Sequence, residues 1–204
     1  MGIDLPGEQP GLIPDKAWKR QRYDRPWQLG ESLLAGIGQG YVLATPLQLA
    51  AMTAWMVNGG RMVRPTLTAG HATTDGATPL VLDVSADAMA IIRRAMIGVT
   101  SEPQGTAIAS QIPQVDMHMG GKTGTSQVRR ISTRERRTGV LRNDERPREE
   151  RDHALFVGFA PIDRPRFAIS VIVEHGGGGS RVAAPIAADL LQLTQTRLAR
   201  GRQS

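Results

Sequence analysis

Ala154-Leu155-Phe156-Val157-Gly158-Phe159-Ala160, then Pro161-Ile162-Asp163-Arg164-Pro165-Arg166, then Phe167-Ala168-Ile169-Ser170-Val171-Ile172-Val173-Glu174: the fold turns on this stretch. Two runs of strand length, rich in β-branched and aromatic residues, flank a short connection with two prolines, which is the pattern of an antiparallel hairpin. Upstream, Gly121 to Val128 reads as a further strand, because Thr123, Thr125 and Val128 favour extended backbone. Downstream, Gly176 to Gly179 breaks the chain. From Ser180 the spacing turns helical through Ile186, Leu190, Leu191, Leu193 and Leu198. Arg197, Arg200 and Arg202 then place positive charge at the negative end of that helix.

The first half is helical. Thr45 is an N-cap with Pro46 at the first helical position, and Leu47, Leu49, Ala50, Ala51, Ala54, Trp55 and Val57 make the helix apolar on most faces. Asn58-Gly59-Gly60 ends it. Such a helix is expected in the middle of a core. A second helix is predicted from Ser85, burying Ala88, Met89, Ile91, Ile92, Ala95 and Met96, with Arg93 and Arg94 outside. Val63 to Leu67 and Leu80 to Val84 are short strand candidates. Before all of these, Pro6, Pro10, Pro14 and Pro26 mark a surface wrap holding one short helix, Asp15 to Arg22, with Trp18 and Trp27 as its anchors. Helices, then an antiparallel sheet, then a closing helix give an α+β fold, a sheet packed with helices. Arg129 to Asp152, with nine arginines and six acidic residues, is expected to be a mobile excursion between two strands.

Composition excludes several classes. The 204 residues contain no cysteine, which removes disulfides, thiolate metal sites and cysteine nucleophiles. Net charge is +6, and only Lys16, Lys19 and Lys122 are lysines. An arginine-favouring genome accounts for the basicity. No nucleic-acid partner is expected, since aromatics are 4% of the chain and do not alternate with arginine. The longest apolar run, Leu43 to Val57, is interrupted by Thr45, Pro46, Gln48 and Thr53 and falls short of the roughly 20 residues that span a bilayer. Met1 to Pro6 shows neither a signal peptide nor a myristoylation pattern, so the chain made alone would stay in the cytoplasm.

Phosphate and metal readings fail on spacing. Gly36-Ile37-Gly38-Gln39-Gly40 lacks the dinucleotide pattern, and Gly121-Lys122-Thr123 lacks the earlier glycine of a nucleotide loop, Asp116 standing in its place. His71, His118, His153 and His175 do not have zinc-site spacing, so no metal and no cofactor is expected. Lys122-Thr123-Gly124-Thr125 remains. An ammonium, two hydroxyls and a glycine on an edge strand suit an extended peptide pairing alongside, with its free carboxylate held by the charge and the hydroxyls.

Lys-Thr-Gly is a signature shared by penicillin-binding proteins and class A β-lactamases. The wider pattern is more specific. Ile3-Asp4-Leu5-Pro6-Gly7-Glu8, Gly36-Ile37-Gly38-Gln39-Gly40, Ala44-Thr45-Pro46-Leu47-Gln48-Leu49-Ala50, Asn58-Gly59-Gly60, Gly105-Thr106-Ala107 and Gly121-Lys122-Thr123-Gly124-Thr125 follow the order of monofunctional (class B) penicillin-binding proteins. The Trp18-Lys19, Pro26-Trp27 and Glu174-His175-Gly176 contexts resemble the penicillin-binding protein 2 group most, over nearly the whole chain.

The resemblance implies the C-terminal half of a transpeptidase fold and a serine-type peptidoglycan D,D-transpeptidase of cell-wall elongation. Its partners would be stem peptides ending in D-Ala-D-Ala, β-lactams that mimic that end, and the elongation machinery. It implies that Lys122 contributes charge and proton transfer, that Thr123, Gly124 and Thr125 bind substrate, and that the Thr125 N–H is half of an oxyanion hole. No serine among Ser32, Ser85, Ser101, Ser110, Ser126, Ser132, Ser170, Ser180 and Ser204 has a lysine three positions on or begins Ser-x-Asn. Ser126 shares a strand face with Lys122 but at roughly 13 Å, too far for proton transfer. The expectation is therefore residues 1–204 as the C-terminal part of a transpeptidase domain, inactive alone and poorly soluble. Its nucleophile, membrane anchor and pedestal would lie upstream, and the parent's catalytic domain in the periplasm. A non-catalytic, arginine-rich interaction module is the second reading.

Overall fold

A computed structural model describes residues 2–68, 80–129, 133–139 and 141–201; Met1, His71, Ser132, Arg202 and Ser204, named above, lie outside them. The chain forms two compact units, Met1–Gln48 with Arg64–Ala72, and Leu49–Val63 with Thr73–Ser204.

In the first unit, α1 (Lys16–Tyr23) starts where Asp15 accepts a hydrogen bond from the Trp18 N–H at 2.6 Å and ends where Asp24 turns left-handed. A second helix, α2 (Leu29–Gly36), was not anticipated. Its local signal is Glu31, which accepts from the Gln28 N–H at 2.7 Å three residues back, as in half a capping box. Glu31 also pairs with Lys19, tying α2 to α1, and that bond holds its carboxyl below the usual range. Both anchoring tryptophans are engaged. Trp18 packs edge-on or tilted against Tyr23 and Tyr41, with centroids at 5.7 and 5.2 Å, and the Trp27 indole donates to Ser32.

The next helix, α3 (Pro46–Val57), opens as expected. The Gln48 N–H donates to Thr45 Oγ1, and the Thr45 N–H donates back to Gln48 Oε1. It is not the centre of a core, however. Only Ala51 and Thr53 are buried and Met52 is exposed. An apolar circumference allows burial on any side, but neighbouring elements decide how much occurs. The strand candidates at 63–67 and 80–84 form no strands; in the second unit a single antiparallel bridge joins Arg61 to Val81.

Helix α4 (Ala86–Ser101) is capped by Ser85, whose hydroxyl accepts from the Ala88 N–H. Its buried side agrees with the expected one at Met89 and Met96 and differs elsewhere. Met89, Met96, Gly98 and Thr100 face inward while Ile91 and Ile92 are exposed. Arg93 is half-buried, its guanidinium donating to the carbonyls of Ile162 and Asp163 at the hairpin turn. An arginine stem can lie along apolar surface when its head finds acceptors, so charge alone did not mark the outer face.

The sheet is three antiparallel strands in the order β1 (Gly120–Ser126), β2 (His153–Ala160), β3 (Phe167–Val173), as the hairpin pattern predicts. Lys122 stands opposite Val157, Gly124 opposite Leu155 and Phe156 opposite Val171. Between β1 and β2, the described part of the arginine-rich segment holds α5 (Thr133–Thr138) and two 3₁₀ turns, none of them anticipated. Arg129 bonds Glu135 through both terminal nitrogens, which raises its already high pKa. Arg146 is buried, donates to the Leu141 carbonyl at 2.5 Å and lies 3.8 Å from Asp152.

The closing helix, α6 (Ala183–Arg200), lies across β2 and β3. Its buried stripe is Ala183, Ala184, Ala187, Ala188 and Leu191, whereas Ile186, Leu190, Leu193 and Leu198 are exposed. The spacing predicts the helix, and of the residues that carry it only Leu191 is buried. Alanines let the helix axis come close to the sheet, where Phe156, fully buried, already fills the space.

Candidate active-site strand

β1 is an edge strand with α4 packed against it. Its first residues are buried and glycine for a steric reason. A Cβ on Gly121 would collide with the Phe156 ring and come within 2.5 Å of the Val157 carbonyl, and one on Gly120 would meet the Phe159 ring at 2.8 Å. After this the strand surfaces. Lys122 and Thr125 are exposed, and Thr123 and Gly124 half-buried. The Lys-Thr-Gly-Thr tetrad is thus accessible along the sheet edge.

Alternation puts Lys122, Gly124 and Ser126 on one face and Thr123 and Thr125 on the other. The hydroxyls consequently do not surround the ammonium, as the local sequence had suggested. The Lys122 Nζ donates to the Thr123 carbonyl at 2.6 Å, and the Thr123 hydroxyl shares a hydrogen bond of 3.0 Å with the Thr106 hydroxyl. Thr106 belongs to the Gly105-Thr106-Ala107 motif, yet nothing in the linear order pairs it with Thr123. Gly105 is pinned beneath it, since a Cβ there would come within 2.5 Å of the Gly98 and Val99 carbonyls at the end of α4.

Gln111, which carries no motif, sets the start of β1. Its side-chain amide acts like one rung of a ladder. Oε1 accepts from the Met119 N–H at 2.9 Å and the Ile112 N–H at 3.0 Å, while Nε2 donates to the Met119 carbonyl at 3.1 Å. The buried Thr100 hydroxyl donates to the same carbonyl at 2.6 Å. Met119 is fully buried, so these bonds satisfy backbone groups that water does not reach.

The expectation for Gly124 was a close approach by another backbone. Over one face that backbone is the chain's own. A Cβ on Gly179 would strike the carbonyls of Gly124 and Leu155 and lie 3.0 Å from the Gly124 nitrogen. The glycine turn at 176–179 therefore lies over the β1–β2 ladder on the face opposite Lys122, where α6 packs on Ala154 and Phe156, and the Lys122 face of Gly124 meets only Leu155. The resulting edge offers a primary ammonium and an exposed threonine beside strand backbone, a set suited to an extended chain ending in a carboxylate.

The family model described as the penicillin binding protein transpeptidase domain matches residues 1–192. The chain belongs to that family. Peptidoglycan D,D-transpeptidase MrdA of Haemophilus influenzae is 36% identical over 194 residues, covering 91% of this chain and 29% of the relative. Among solved structures, the complex between penicillin-binding protein 2 and MreC from Helicobacter pylori matches 97% of this chain and 33% of its own, with a TM-score of 0.79 and 30% identity. Pseudomonas aeruginosa penicillin-binding protein 2 in complex with WCK 5153 matches 90% of this chain and 38% of its own, with a TM-score of 0.72 and 38% identity. The α+β fold and the similarity to the penicillin-binding protein 2 group are thus established. This transpeptidase-family chain spans under a third of the length of that curated relative. Among its described residues, no helix is long and apolar enough to cross a membrane.

Proposed function

We propose that residues 1–204 are the C-terminal portion of the transpeptidase domain of a penicillin-binding protein 2-like peptidoglycan D,D-transpeptidase. On this reading β1 docks the D-Ala-D-Ala end of a stem peptide, or a β-lactam in its place. The observation that carries it is the exposed Lys122-Thr125 edge, with the Lys122 ammonium already seated on a strand carbonyl. Lys122 supplies the positive field and a proton-network member for the substrate carboxylate. Thr123 and Thr125 offer hydroxyls, Gly124 keeps the strand flat, and the Thr125 N–H is one oxyanion donor, a role typically worth about 2.7–4 kcal/mol in the transition state. A hydroxyl has one proton and two lone pairs, so when Thr106 donates to Thr123 the Thr123 proton stays available to substrate.

The attacking serine and its lysine are supplied by residues outside these 204. Serine oxygen adds to the penultimate D-Ala carbonyl, its proton passes to the departing D-Ala amine, and an amine of a neighbouring stem then attacks the acyl carbonyl, displacing the serine, which regains a proton from that amine. The parent acts in the periplasm, held by an anchor outside these residues, together with the elongation machinery. The interaction-module reading is disfavoured by the pairing of Arg129, Arg142 and Arg146 with acidic residues of their own segment.

Two measurements test this. A fluorescent penicillin should leave no boil-resistant label on the isolated chain, and a covalent band would overturn the assignment of the nucleophile. An acetylated tripeptide ending in D-Ala-D-Ala should shift the amide resonances of residues 122–125, whereas its C-terminal amide should not. Shifts confined to other regions would refute the docking role.

A further inference from the structure

Thr106 lies outside the tetrad, 17 residues before Thr123, yet the two hydroxyls meet at 3.0 Å. The route of the chain places it there. Helix α4 packs on the face of β1 that carries Lys122, where a Cβ on Gly120 would come within 3.3 Å of the Ile97 Cα. Ala107 belongs to the buried cluster on the opposite face, with Phe156 and with Ala184 and Ala187 of α6. β2 closes one side of β1, so the chain passes from the first face to the second around the open edge. Thr106 stands at the crossing.

Its backbone is held from both sides. The Gly105 N–H bonds the Glu102 carbonyl at 2.8 Å, and a Cβ on Gly105 would come within 2.5 Å of the Gly98 and Val99 carbonyls. The Ala107 N–H bonds the Val99 carbonyl at 2.9 Å, and Ala107 itself is buried. None of these contacts uses the Thr106 side chain, which is exposed and β-branched, with few rotamers open to it. Thr106 thus presents a hydroxyl at a fixed position without contributing to the packing that fixes it.

The order of protons follows from the charge of the ligand. Either oxygen of the pair can donate. A carboxylate only accepts, so when one docks at Thr123 the Thr123 hydroxyl donates to it, and a Thr123 lone pair takes the Thr106 proton. The two hydroxyls then form a chain that ends on the anion, each bond polarising the next. Without Thr106, the Thr123 hydroxyl turns among its rotamers and has to be oriented by the ligand itself.

We propose that Thr106 is a positioning residue of the docking strand. It holds the Thr123 side chain in one rotamer and turns its proton toward the terminal carboxylate of the bound peptide. The ligand in this statement rests on the proposed function, whereas the hold on Thr123 can be tested without any ligand. Thr106→Val keeps the shape and removes the hydroxyl, and Thr106→Ser keeps the hydroxyl.

Both variants should melt with the wild-type chain. In the unliganded 204-residue chain, three-bond couplings to the Thr123 γ-methyl carbon should report one χ1 rotamer in the wild type and T106S, and a rotamer average in T106V. Binding of the acetylated D-Ala-D-Ala tripeptide, read by titration calorimetry, should weaken about fivefold in T106V, the size of one lost hydrogen bond, and recover in T106S. In a Thr123→Val background T106V should have no further effect, because the group it acts through is gone. A single Thr123 rotamer in T106V overturns the positioning role, and so does an equal loss of binding in the T123V background. Should T106V melt early, Thr106→Ala takes its place under the same criteria; an early melt of both assigns Thr106 to packing and overturns the role. Failure of the wild-type chain to bind tripeptide refutes the docking reading, and the couplings then judge the hold on Thr123 by themselves.

Discussion

Replacing Gln111 by methionine keeps the length of the side chain and removes its amide, which tests whether a residue without a motif sets the start of β1. The loss can be worked from the bonds. The N–H groups of Met119 and Ile112 lose their only side-chain acceptor, while the Met119 carbonyl keeps the Thr100 hydroxyl at 2.6 Å. Met119 and Ile112 are both buried. Stranding a buried N–H costs about 1–3 kcal/mol, so two give about 2–4 kcal/mol if the partly exposed Gln111 site admits some water. For a domain of this size that is a fall in Tm of roughly 4–16 °C. Urea denaturation followed by circular dichroism measures it, with Gln111→Glu as control. The carboxylate keeps the acceptor for both N–H groups, so Q111E should lose less than Q111M. A cost below about 0.5 kcal/mol for Q111M, or the reverse order of the two variants, refutes the reasoning.

Lys122→Met should leave stability within about 0.5 kcal/mol, because the residue is exposed, yet weaken D-Ala-D-Ala tripeptide binding at least tenfold by titration calorimetry. Gly121→Ala forces a Cβ into the buried Phe156 ring and should cost about 1–3 kcal/mol in urea melts; a neutral result would mean β1 and β2 are not in this register. Asp4 accepts hydrogen bonds from the Leu67 N–H and from the N–H and hydroxyl of Thr68, which lower its pKa to about 2. A lowered folded-state pKa stabilises above the ordinary carboxylate value and is lost as pH falls toward about 2. The amide resonances of Leu67 and Thr68 should therefore move between pH 4 and pH 2 in the wild-type chain and stay put in Asp4→Asn.

What could be read directly were the features whose cause is local. Thr45 sits where the first turn of a helix needs an acceptor and its cap forms, and helices start at Asp15 and Ser85 as expected, each of those two side chains serving as the cap. Strand alternation around Pro161–Arg166 was equally plain, and the Lys122 tetrad stood out because no other lysine follows Lys19. The buried face was harder to read. On α6 both the leucines and the alanines repeat at helical spacing, so spacing alone selects neither, and on α4 Arg93, expected outside, carried charge inward.

From sequence alone followed the family, the α+β order of elements and a strand bearing the Lys122-Thr123-Gly124-Thr125 tetrad, since propensity, capping and alternation act over a few residues. Tertiary structure alone decided that the Thr123 hydroxyl meets Thr106, that Gln111 holds Met119, and that Gly179 settles on Gly124. Those contacts join segments 8 to 55 residues apart. Their partners are chosen by how helix, sheet and turn pack in three dimensions, for which no periodicity along the chain provides a signal.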